Sequence, residues 1–250
     1  MRFKAVIFDL GDTLILTDRW DYDKCLKKLL SSLKNDSIMI KIPFEEFKRG
    51  YFKVREKMYL KSEPALREVD FRSRIAITLK IFLHYSIYEG PILTHAIDAF
   101  FDAFIEDAYT ETYVSDLLLE LKKEYKLGLA SNFASPQGFW RVLEHFDLGK
   151  FFNTIVVSGE VGFRKPHPIV FKNVLEGLNM KPTETVFVGD SLKADIFGAK
   201  ILGLKTILIE NPGMRKNPYA IAGELDPFPV EPDARIPNLK ELPRALSNIV

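Results

Sequence analysis

A short apolar segment near the N-terminus ends abruptly at an aspartate, and this junction restricts the possible folds most strongly. Residues 5–8 are all apolar and rich in β-branched and aromatic side chains, which predicts a strand. Because the apolar run is continuous, we expect a strand buried on both faces, as in a parallel sheet covered by helices. Asp9 then lies at the carboxyl end of the strand, where open α/β sheets bind ligands. Gly11, Asp12 and Thr13 follow in a predicted turn.

The segment of about ninety residues after Leu16 has the periodicity of helices rather than of strands. Apolar side chains recur every three or four residues, which predicts helices over residues 19–34, 43–58, 71–85 and 92–108 and no strand among them. We therefore expect a helical bundle inserted after the first strand. Its cationic side chains are expected on solvated faces rather than at ligand contacts, although one or two could reach an active site; they include Arg55, Lys57, Arg67, Arg72 and Arg74.

From about residue 110 onward, predicted helices and strands alternate. The helices cover residues 116–125, 135–146, 169–178, 195–202 and 241–248, and the strands cover residues 127–130, 154–158, 185–188 and 206–209. Residues 159–168 are expected to form a loop, and the prolines between 211 and 236 predict a second irregular segment. This alternation predicts a parallel sheet with right-handed crossovers.

The expected fold is therefore an α/β fold with two domains. Residues 1–17 and 109–250 would form a Rossmann-like core around a doubly wound parallel sheet, and residues 18–108 would form a helical-bundle cap domain.

The composition predicts a soluble globular protein that recruits neither nucleic acid nor a membrane surface. The chain has 35 basic and 34 acidic side chains, a net charge of +1, so it has no strong overall field. No apolar run is long enough for a signal-peptide core or a membrane span. Cys25 is the single cysteine, which excludes an internal disulfide and favours a reducing, cytoplasmic location. The sequence leaves the oligomeric state open.

Polar side chains follow four of the predicted strands, and parallel strands bring their carboxyl ends to one edge of the sheet. The residues are Asp9, Ser131, Asn132, Lys165, Asp190 and Asp195. Clustered carboxylates are typical ligands of Mg²⁺, hydroxyl and amide groups can donate to phosphate oxygens, and a lysine can balance the charge of a transferring phosphoryl group. Taken alone, Lys165 could be a surface residue, and Asp195 could be an acid favoured near a helix N-terminus. Together the residues predict phosphoryl transfer, in which a carboxylate can be the nucleophile.

These motifs resemble those of haloacid dehalogenase superfamily hydrolases that have a helical cap inserted after the first motif. The resemblance covers essentially the whole chain and rests on residues 8–14, 130–132, 162–166, 188–191, 195 and 198–199. It implies that Asp9 is both the nucleophile and a ligand of Mg²⁺, with the Gly11 carbonyl and the Asp190 carboxylate as further ligands. The remaining implied roles are phosphoryl or substrate binding by Thr13, Ser131, Asn132 and Lys165, catalysis by Lys165, and support or metal binding by Asp195.

One position departs from the pattern of the family's phosphatases, which usually carry a second Asp two residues after the nucleophile as general acid and base. That position is Gly11 here, and Asp12 follows as the candidate replacement. Loss of a general acid or base lowers rates by ~10²–10⁴-fold. A 2-haloacid dehalogenase, whose branch also lacks this Asp, and a weakly active or non-catalytic phosphate-binding protein are therefore alternatives. The retained acidic cluster favours a Mg²⁺-dependent phosphatase that forms an aspartyl-phosphate and acts on a small phosphorylated metabolite.

Overall fold

The computed structural model describes residues 3–17, 20–35, 42–83, 90–211 and 229–249. The first half of the chain contains β1 (Ala5–Phe8), β2 (Leu16–Thr17), α1 (Tyr22–Asn35), α2 (Phe44–Ser62), α3 (Phe71–Leu83), α4 (Pro91–Ile105), β3 (Ala108–Tyr109) and α5 (Val114–Leu121). The second half contains β4 (Lys126–Ser131), α6 (Pro136–His145), β5 (Thr154–Val157), α7 (Ser158–Val161), α8 (Pro168–Leu178), β6 (Thr185–Gly189), α9 (Gly198–Lys200), β7 (Lys205–Ile209), β8 (Ala234–Ile236) and α10 (Leu242–Asn248). Within these ranges, no helix combines the length and the apolar character that a bilayer crossing requires.

Strand β1 lies at the centre of a six-stranded parallel sheet with the order β5-β4-β1-β6-β7-β8. Its residues alternate between the two faces of the sheet: Val6 and Phe8 belong to one apolar cluster, and Ala5 and Ile7 belong to the other. All four are fully buried, as the continuous apolar run predicts.

The order of the strands creates a crevice at the carboxyl end of β1. The chain runs from β1 to β4 and β5 on one side of the sheet, and then returns to β6, β7 and β8 on the other side. Phe8 lies opposite Leu129 of β4 and Val188 of β6, so Asp9 emerges where the strand order reverses. Such a reversal point is the usual ligand site of an open α/β sheet. The predicted α/β, Rossmann-like, doubly wound fold is confirmed.

Helices α1 to α4 form the helical insert between β2 and β3, in good agreement with the periodicity of the sequence. The end of the third predicted helix, residues 84 and 85, lies outside the described residues. The expectation that residues 17–108 contain no strand is wrong at both ends. Leu16 pairs with Tyr109 and Thr17 with Ala108 in a two-stranded antiparallel ladder. Strands of two residues are too short to produce an alternating pattern, so the sequence carries no sign of them.

Three local predictions in the second half are also wrong. Residues 234–236 form edge strand β8 beside β7 rather than a loop, while residues 212–228 of the predicted loop lie outside the described residues. Ser158 begins helix α7 at once, where a loop is expected from residue 159. The expected helix over residues 195–202 instead begins with a π-helical turn, Leu192–Phe197, followed by α9. Single π turns inside helices are frequent at functional sites.

Arg74 is buried, contrary to the expectation that the cations of the insert are solvated. Its exposed fraction is 5%, whereas Lys57 and Arg67 are exposed as expected and Arg55 and Arg72 are partly buried. Arg74 lies three residues after Phe71 and four before Thr78, both buried, so it belongs to the buried face of α3. The helical periodicity places this position on the buried face of α3, but arginine is usually exposed, so the sequence predicts a solvated side chain.

The helical insert packs on the core through a close approach of α4 and α6. A Cβ atom added at Gly138 would lie 2.1 Å from Cε2 of Phe101, so only a glycine fits at this position. Around this contact, the Gln137 amide donates to Asp98 Oδ1 at 2.7 Å, and Arg141 Nε donates to Asp102 Oδ1 at 2.5 Å. Phe101 itself is surrounded by the rings of Phe71, Phe100, Phe104 and Phe133 and has little room to move.

We expect Gly138→Ala to lower the free energy of unfolding by about 1–2 kcal/mol, because overpacking against Phe101 exceeds the gain in helix propensity. Gly149→Ala is the matched control, since a Cβ there meets nothing closer than 3.5 Å. Urea unfolding of both variants measures the difference. Equal stabilities would show that the α4–α6 contact relaxes without cost.

Candidate active site

Asp9 lies at the carboxyl end of β1, as predicted, and is held there by the sheet. Its backbone N–H donates to the Val188 carbonyl at 2.9 Å, which continues the pairing of β1 with β6 by one residue. The side chain is 8% exposed. Asp9 is therefore a buried carboxylate in the crevice between β4 and β6.

Lys165 connects Asp9 to Asp195. Its Nζ lies 2.6 Å from Asp9 Oδ1 and 2.7 Å from Asp195 Oδ1, and the lysine is 3% exposed. Burial alone would lower the pKa of Lys165, but the charges of Asp195 and Asp9 outweigh burial and raise it. Lys165 is therefore a permanently charged ammonium group beside the predicted nucleophile.

Asn132 holds the backbone of Lys165. Its side-chain Oδ1 accepts from the Lys165 N–H at 2.7 Å, and its Nδ2 donates to the Lys165 carbonyl at 3.1 Å. The expected hydrogen bond from Asn132 to a substrate stays a prediction. In this structure the amide positions the lysine, a role that the sequence analysis did not assign.

Asp195 reaches the site from the π-helical turn and packs directly on the end of β6. Its Oδ2 accepts from the Ser191 N–H at 3.0 Å, while Oδ1 faces Lys165. A Cβ at Gly189 would lie 2.4 Å from Asp195 Oδ2, so the absence of a side chain at Gly189 makes this approach possible. Both oxygens of Asp195 thus contact groups of the protein, and the carboxylate fixes the position of Lys165.

Three carboxylates, Asp9, Asp190 and Asp195, offer oxygen atoms within 4.8 Å of one another. Burial raises the pKa of Asp9 to about 7, because desolvation and the charge of Asp195 outweigh the opposing charge of Lys165. Burial, Asp195 and Asp9 also raise the pKa of Asp190 well above its usual value. The positive charge of Lys165 does not balance the negative charges of three carboxylates. Carboxylate oxygens are also the ligands that Mg²⁺ prefers. The residues present therefore fit a divalent cation.

Two hydroxyl groups line the same edge of the sheet. Thr13 is 3% exposed and its Oγ1 has no hydrogen-bond partner among the described residues. Ser131, the last residue of β4, is also 3% exposed. Because a buried hydroxyl without a partner is costly, the Thr13 hydroxyl is suited to donate to a group bound at this edge. Both residues lie where the sequence predicts substrate-binding groups.

The turn after Asp9 shows which of Gly11 and Asp12 fills the special backbone position. Asp12, not Gly11, has a left-handed conformation with φ of 54°, and its N–H donates to the Ile15 carbonyl at 2.8 Å. A Cβ at Gly11 would have no neighbour within 4 Å. Burial raises the pKa of Asp12, and the charge of Asp12 in turn raises the pKa of Asp190. Gly11 therefore has room for a side chain two residues after Asp9, and Asp12 lies within electrostatic reach of the acidic cluster.

A segment of the insert, residues 62–71, docks beside Lys165 and was not identified from the sequence. Arg164, 5% exposed, donates to Glu63, to Ser62 Oγ at 3.2 Å and to the Arg67 carbonyl at 2.5 Å. Backbone hydrogen bonds join Glu68 to Gly162 at 3.0 Å and Arg164 to Leu66 at 2.9 Å. The position of Arg164 directly before Lys165 was the available signal, but nothing in the sequence marked its partners.

Comparison with known proteins supports the assignment that these motifs suggest. A family model described as haloacid dehalogenase-like hydrolase matches residues 6–209. A glyceraldehyde 3-phosphate phosphatase from Methanopyrus kandleri is 29% identical over 212 residues, covering 82% of this chain and 83% of that protein. The chain spans only 38% and 34% of the lengths of two Pyrococcus relatives of the same name.

Two solved structures share the fold over nearly their whole lengths. A 2-haloacid dehalogenase from Pseudomonas syringae has a TM-score of 0.68 at 22% identity, covering 99% of this chain and 100% of that one. The putative HAD-hydrolase YfnB from Bacillus subtilis, described as bound to magnesium, has a TM-score of 0.60 at 24% identity, covering 98% and 99%. At these identities the similarity shows the fold alone. Because the family model covers most of the chain and its motif residues meet at one edge of the sheet, this protein belongs to the haloacid dehalogenase-like hydrolases.

Proposed function

We propose that this protein is a Mg²⁺-dependent phosphatase that hydrolyses a small phosphorylated metabolite through an aspartyl-phosphate on Asp9. The observation that carries the proposal is the cluster of Asp9, Asp190 and Asp195, whose oxygens lie within 4.8 Å of one another beside Lys165. Phosphatase relatives support a phosphate ester as the substrate class.

Each of the converging groups has a role in this chemistry. An Asp9 oxygen would attack phosphorus and release the alcohol, and water would then hydrolyse the acyl phosphate. Lys165 would balance charge on the phosphoryl oxygens, and Thr13 and Ser131 would donate hydrogen bonds to them. Asp9, Asp190 and the Gly11 carbonyl would hold Mg²⁺, with Asp195 as a supporting carboxylate. When bound, the ion supplies electrostatic stabilisation of the phosphoryl group.

We also propose that residues 18–108 are a cap domain, with residues 1–17 and 109–250 as the catalytic core. The described part of the insert contributes no strand to the six-stranded sheet, and its residues 62–71 lie against the Lys165 loop. A cap in this position would exclude water from the acyl phosphate and retain the substrate. A cytoplasmic location is part of the same proposal, because Cys25 is the single cysteine of the chain.

The metal requirement separates this proposal from a dehalogenase. We expect turnover of p-nitrophenyl phosphate to need Mg²⁺ and to disappear in EDTA, and Asp9→Asn to abolish it, since an amide is not a nucleophile toward phosphorus. Phosphate release with and without chelator measures both effects. Halide release from a 2-haloacid in EDTA would instead assign the chain to dehalogenation, and near-normal turnover by Asp9→Asn would exclude the covalent mechanism.

The raised pKa of Asp9 predicts a pH-dependent stability difference in metal-free protein. Asp9 titrates near 3.8 in unfolded chains and near 7 here, so ionised Asp9 destabilises the fold increasingly as pH rises through this window. Asp9→Asn should therefore raise the melting temperature more at pH 8 than at pH 5.5. Calorimetry in EDTA measures this, with Asp147→Asn on the surface as control. An equal gain at both pH values would mean that Asp9 does not carry the buried charge.

Mg²⁺ gives an independent readout on the same samples. At pH 8 we expect Mg²⁺ to raise the melting temperature of the wild-type protein far more than that of Asp9→Asn, because binding to the native state stabilises it. Equal shifts in both proteins would remove Asp9 from the set of metal ligands.

The open position at Gly11 predicts a restricted choice of leaving group. We expect Gly11→Asp to raise turnover of alkyl phosphates more than of aryl phosphates, because a general acid, worth ~10²–10⁴-fold, helps most when the departing oxygen is a strong base. The structure permits this change, since an added Cβ meets no atom within 4 Å.

Asp12→Asn is the companion variant, because asparagine tolerates the left-handed backbone at this position while losing the carboxylate. If Asp12 already protonates the leaving oxygen, Asp12→Asn should lower alkyl turnover severely and Gly11→Asp should add little. An alkyl-to-aryl ratio that neither variant changes would exclude both residues as the general acid.

A further inference from the structure

Three cationic side chains are buried among the described residues, and two of them are paired with carboxylates. Lys165 contacts Asp9 and Asp195, and Arg164 contacts Glu63. The third, Arg74, is 5% exposed and forms no ion pair with any described carboxylate. The protein thus neutralises buried cations by pairing, and Arg74 is the exception.

The contacts of Arg74 leave its buried Nε–H group without an acceptor among the described residues. Nη1 donates to Tyr51 Oη at 3.3 Å, a hydroxyl that is itself 2.5 Å from Tyr22 Oη. The guanidinium carbon lies 5.0 Å from the ring centroid of Phe71 and 5.7 Å from that of Tyr59. The two aromatic rings stabilise the cation, but no carboxylate among the described residues forms a salt bridge with it.

Glu68, the acidic residue whose charge acts on Arg74, is already bonded elsewhere. Its Oε2 accepts from Ser158 Oγ at 2.5 Å and its Oε1 from the Val69 N–H at 2.8 Å. Its charge acts on Arg74 from a distance, without a hydrogen bond. The chain therefore brings a carboxylate into the neighbourhood of Arg74 and binds that carboxylate to other groups.

Arg74 is connected to the Lys165 loop through the ring of Tyr59. The ring of Tyr59 is contacted by Arg74 on one hand and by Arg164 on the other, with the Arg164 guanidinium carbon 5.1 Å from its centroid. The two guanidinium carbons are therefore no farther apart than the sum of their distances to the Tyr59 centroid. Arg164 directly precedes Lys165 in the chain. The first turn of α3 is also bonded to the core, since the Phe71 N–H donates to the Ala134 carbonyl at 2.9 Å, three residues beyond Ser131.

We propose that Arg74 binds a second anionic group of the substrate, a carboxylate or a second phosphate, while the phosphate to be hydrolysed lies at Asp9 and Lys165. The inference rests on the proposed phosphatase function and names its substrate class: a short phosphate monoester with an anion at its other end. The unpaired, forked guanidinium matches the geometry of carboxylate and phosphate oxygens.

Access to Arg74 follows from its place at the junction of the insert with the core. The rings of Tyr59 and Phe71 pack against it. Phe71 is the last residue of the segment 62–71, which docks on residues 158–165, and Tyr59 precedes this segment by three residues. We expect the opening that admits the phosphate group to expose the guanidinium as well.

Matched substrate pairs test the proposal. 3-Phosphoglycerate and glyceraldehyde 3-phosphate differ in a carboxylate against an aldehyde, and ribulose 1,5-bisphosphate and ribulose 5-phosphate differ in a second phosphate. We expect wild-type kcat/KM to favour the doubly anionic member of at least one pair, which also identifies the anion. Arg74→Met should lower that preference by about 10- to 100-fold, the range expected for losing hydrogen bonds to a charged group.

Two controls make the outcome specific. Lys80→Met removes a positive charge from the exposed face of the same helix and should leave the preference unchanged. Arg74→Gln repeats the loss of charge in case Arg74→Met folds poorly, although replacing an unpaired buried charge by an apolar group of similar volume is often neutral or stabilising. A lower melting temperature with an unchanged preference would show that Arg74 is structural and would overturn the inference. So would a wild-type enzyme without preference in either pair, a result that needs no variant.

Calorimetric binding distinguishes failure of this inference from failure of the proposed function. If no phosphate ester is hydrolysed with Mg²⁺, the phosphatase proposal fails, and binding of the same four compounds to the wild-type protein still tests Arg74. Tighter binding of a doubly anionic compound that Arg74→Met removes, with binding of inorganic phosphate retained, would support the anion site on its own. Equal binding within both pairs would overturn it.

Discussion

The ammonium group of Lys165, placed between the carboxylates of Asp9 and Asp195, is the interaction on which the site depends. It joins three segments that are distant in the chain: the end of β1, the loop before α8 and the π-helical turn after β6. Without the lysine, two buried carboxylates would face each other with no compensating charge, an arrangement that costs several kcal/mol. Asn132 and Gly189 serve this interaction, one by holding the lysine backbone and the other by leaving room for Asp195. The sheet therefore brings the strand ends together, and the ion pairs keep them in register.

The parts of the fold that depend on burial could be predicted from the sequence. Residues 5–8 predict a strand buried on both faces, because every side chain there is apolar. The buried position of this strand determines where Asp9 lies. Pairing over two residues, as in β2 and β3, leaves no periodic signal, and edge strand β8 follows a proline-rich segment that disguises it. Arg74 shows a different limit: its helical position indicates the interior, and the general preference of arginine for solvent outweighed that indication.

The candidate site also has features that could be predicted from the sequence and features that could not. Acidic residues after buried strands are recognisable, since strand ends in a parallel sheet converge whatever the intervening chain does. Which polar groups bond to each other within the site cannot be predicted from the sequence, because this depends on the geometry of the side chains in the folded protein. For example, the side-chain amide of Asn132 bonds to the Lys165 backbone, and Arg164 donates to Glu63, about a hundred residues earlier in the chain. In the turn after Asp9, the order of two adjacent residues decides the backbone: the left-handed position belongs to Asp12, so Gly11 contributes space rather than conformational freedom.

The short ladder of β2 and β3 has a mechanical consequence. The chain enters the helical insert after Thr17 and leaves it at Ala108, and these two residues face each other in the ladder. Two separate tethers would let a bundle slide or twist over the sheet in several directions. Two tethers bonded side by side would act as a single joint, so a displacement of the helices would be a swing about it. Such a swing would have to break the backbone hydrogen bonds that dock residues 62–71, from Glu68 to Gly162 and from Arg164 to Leu66.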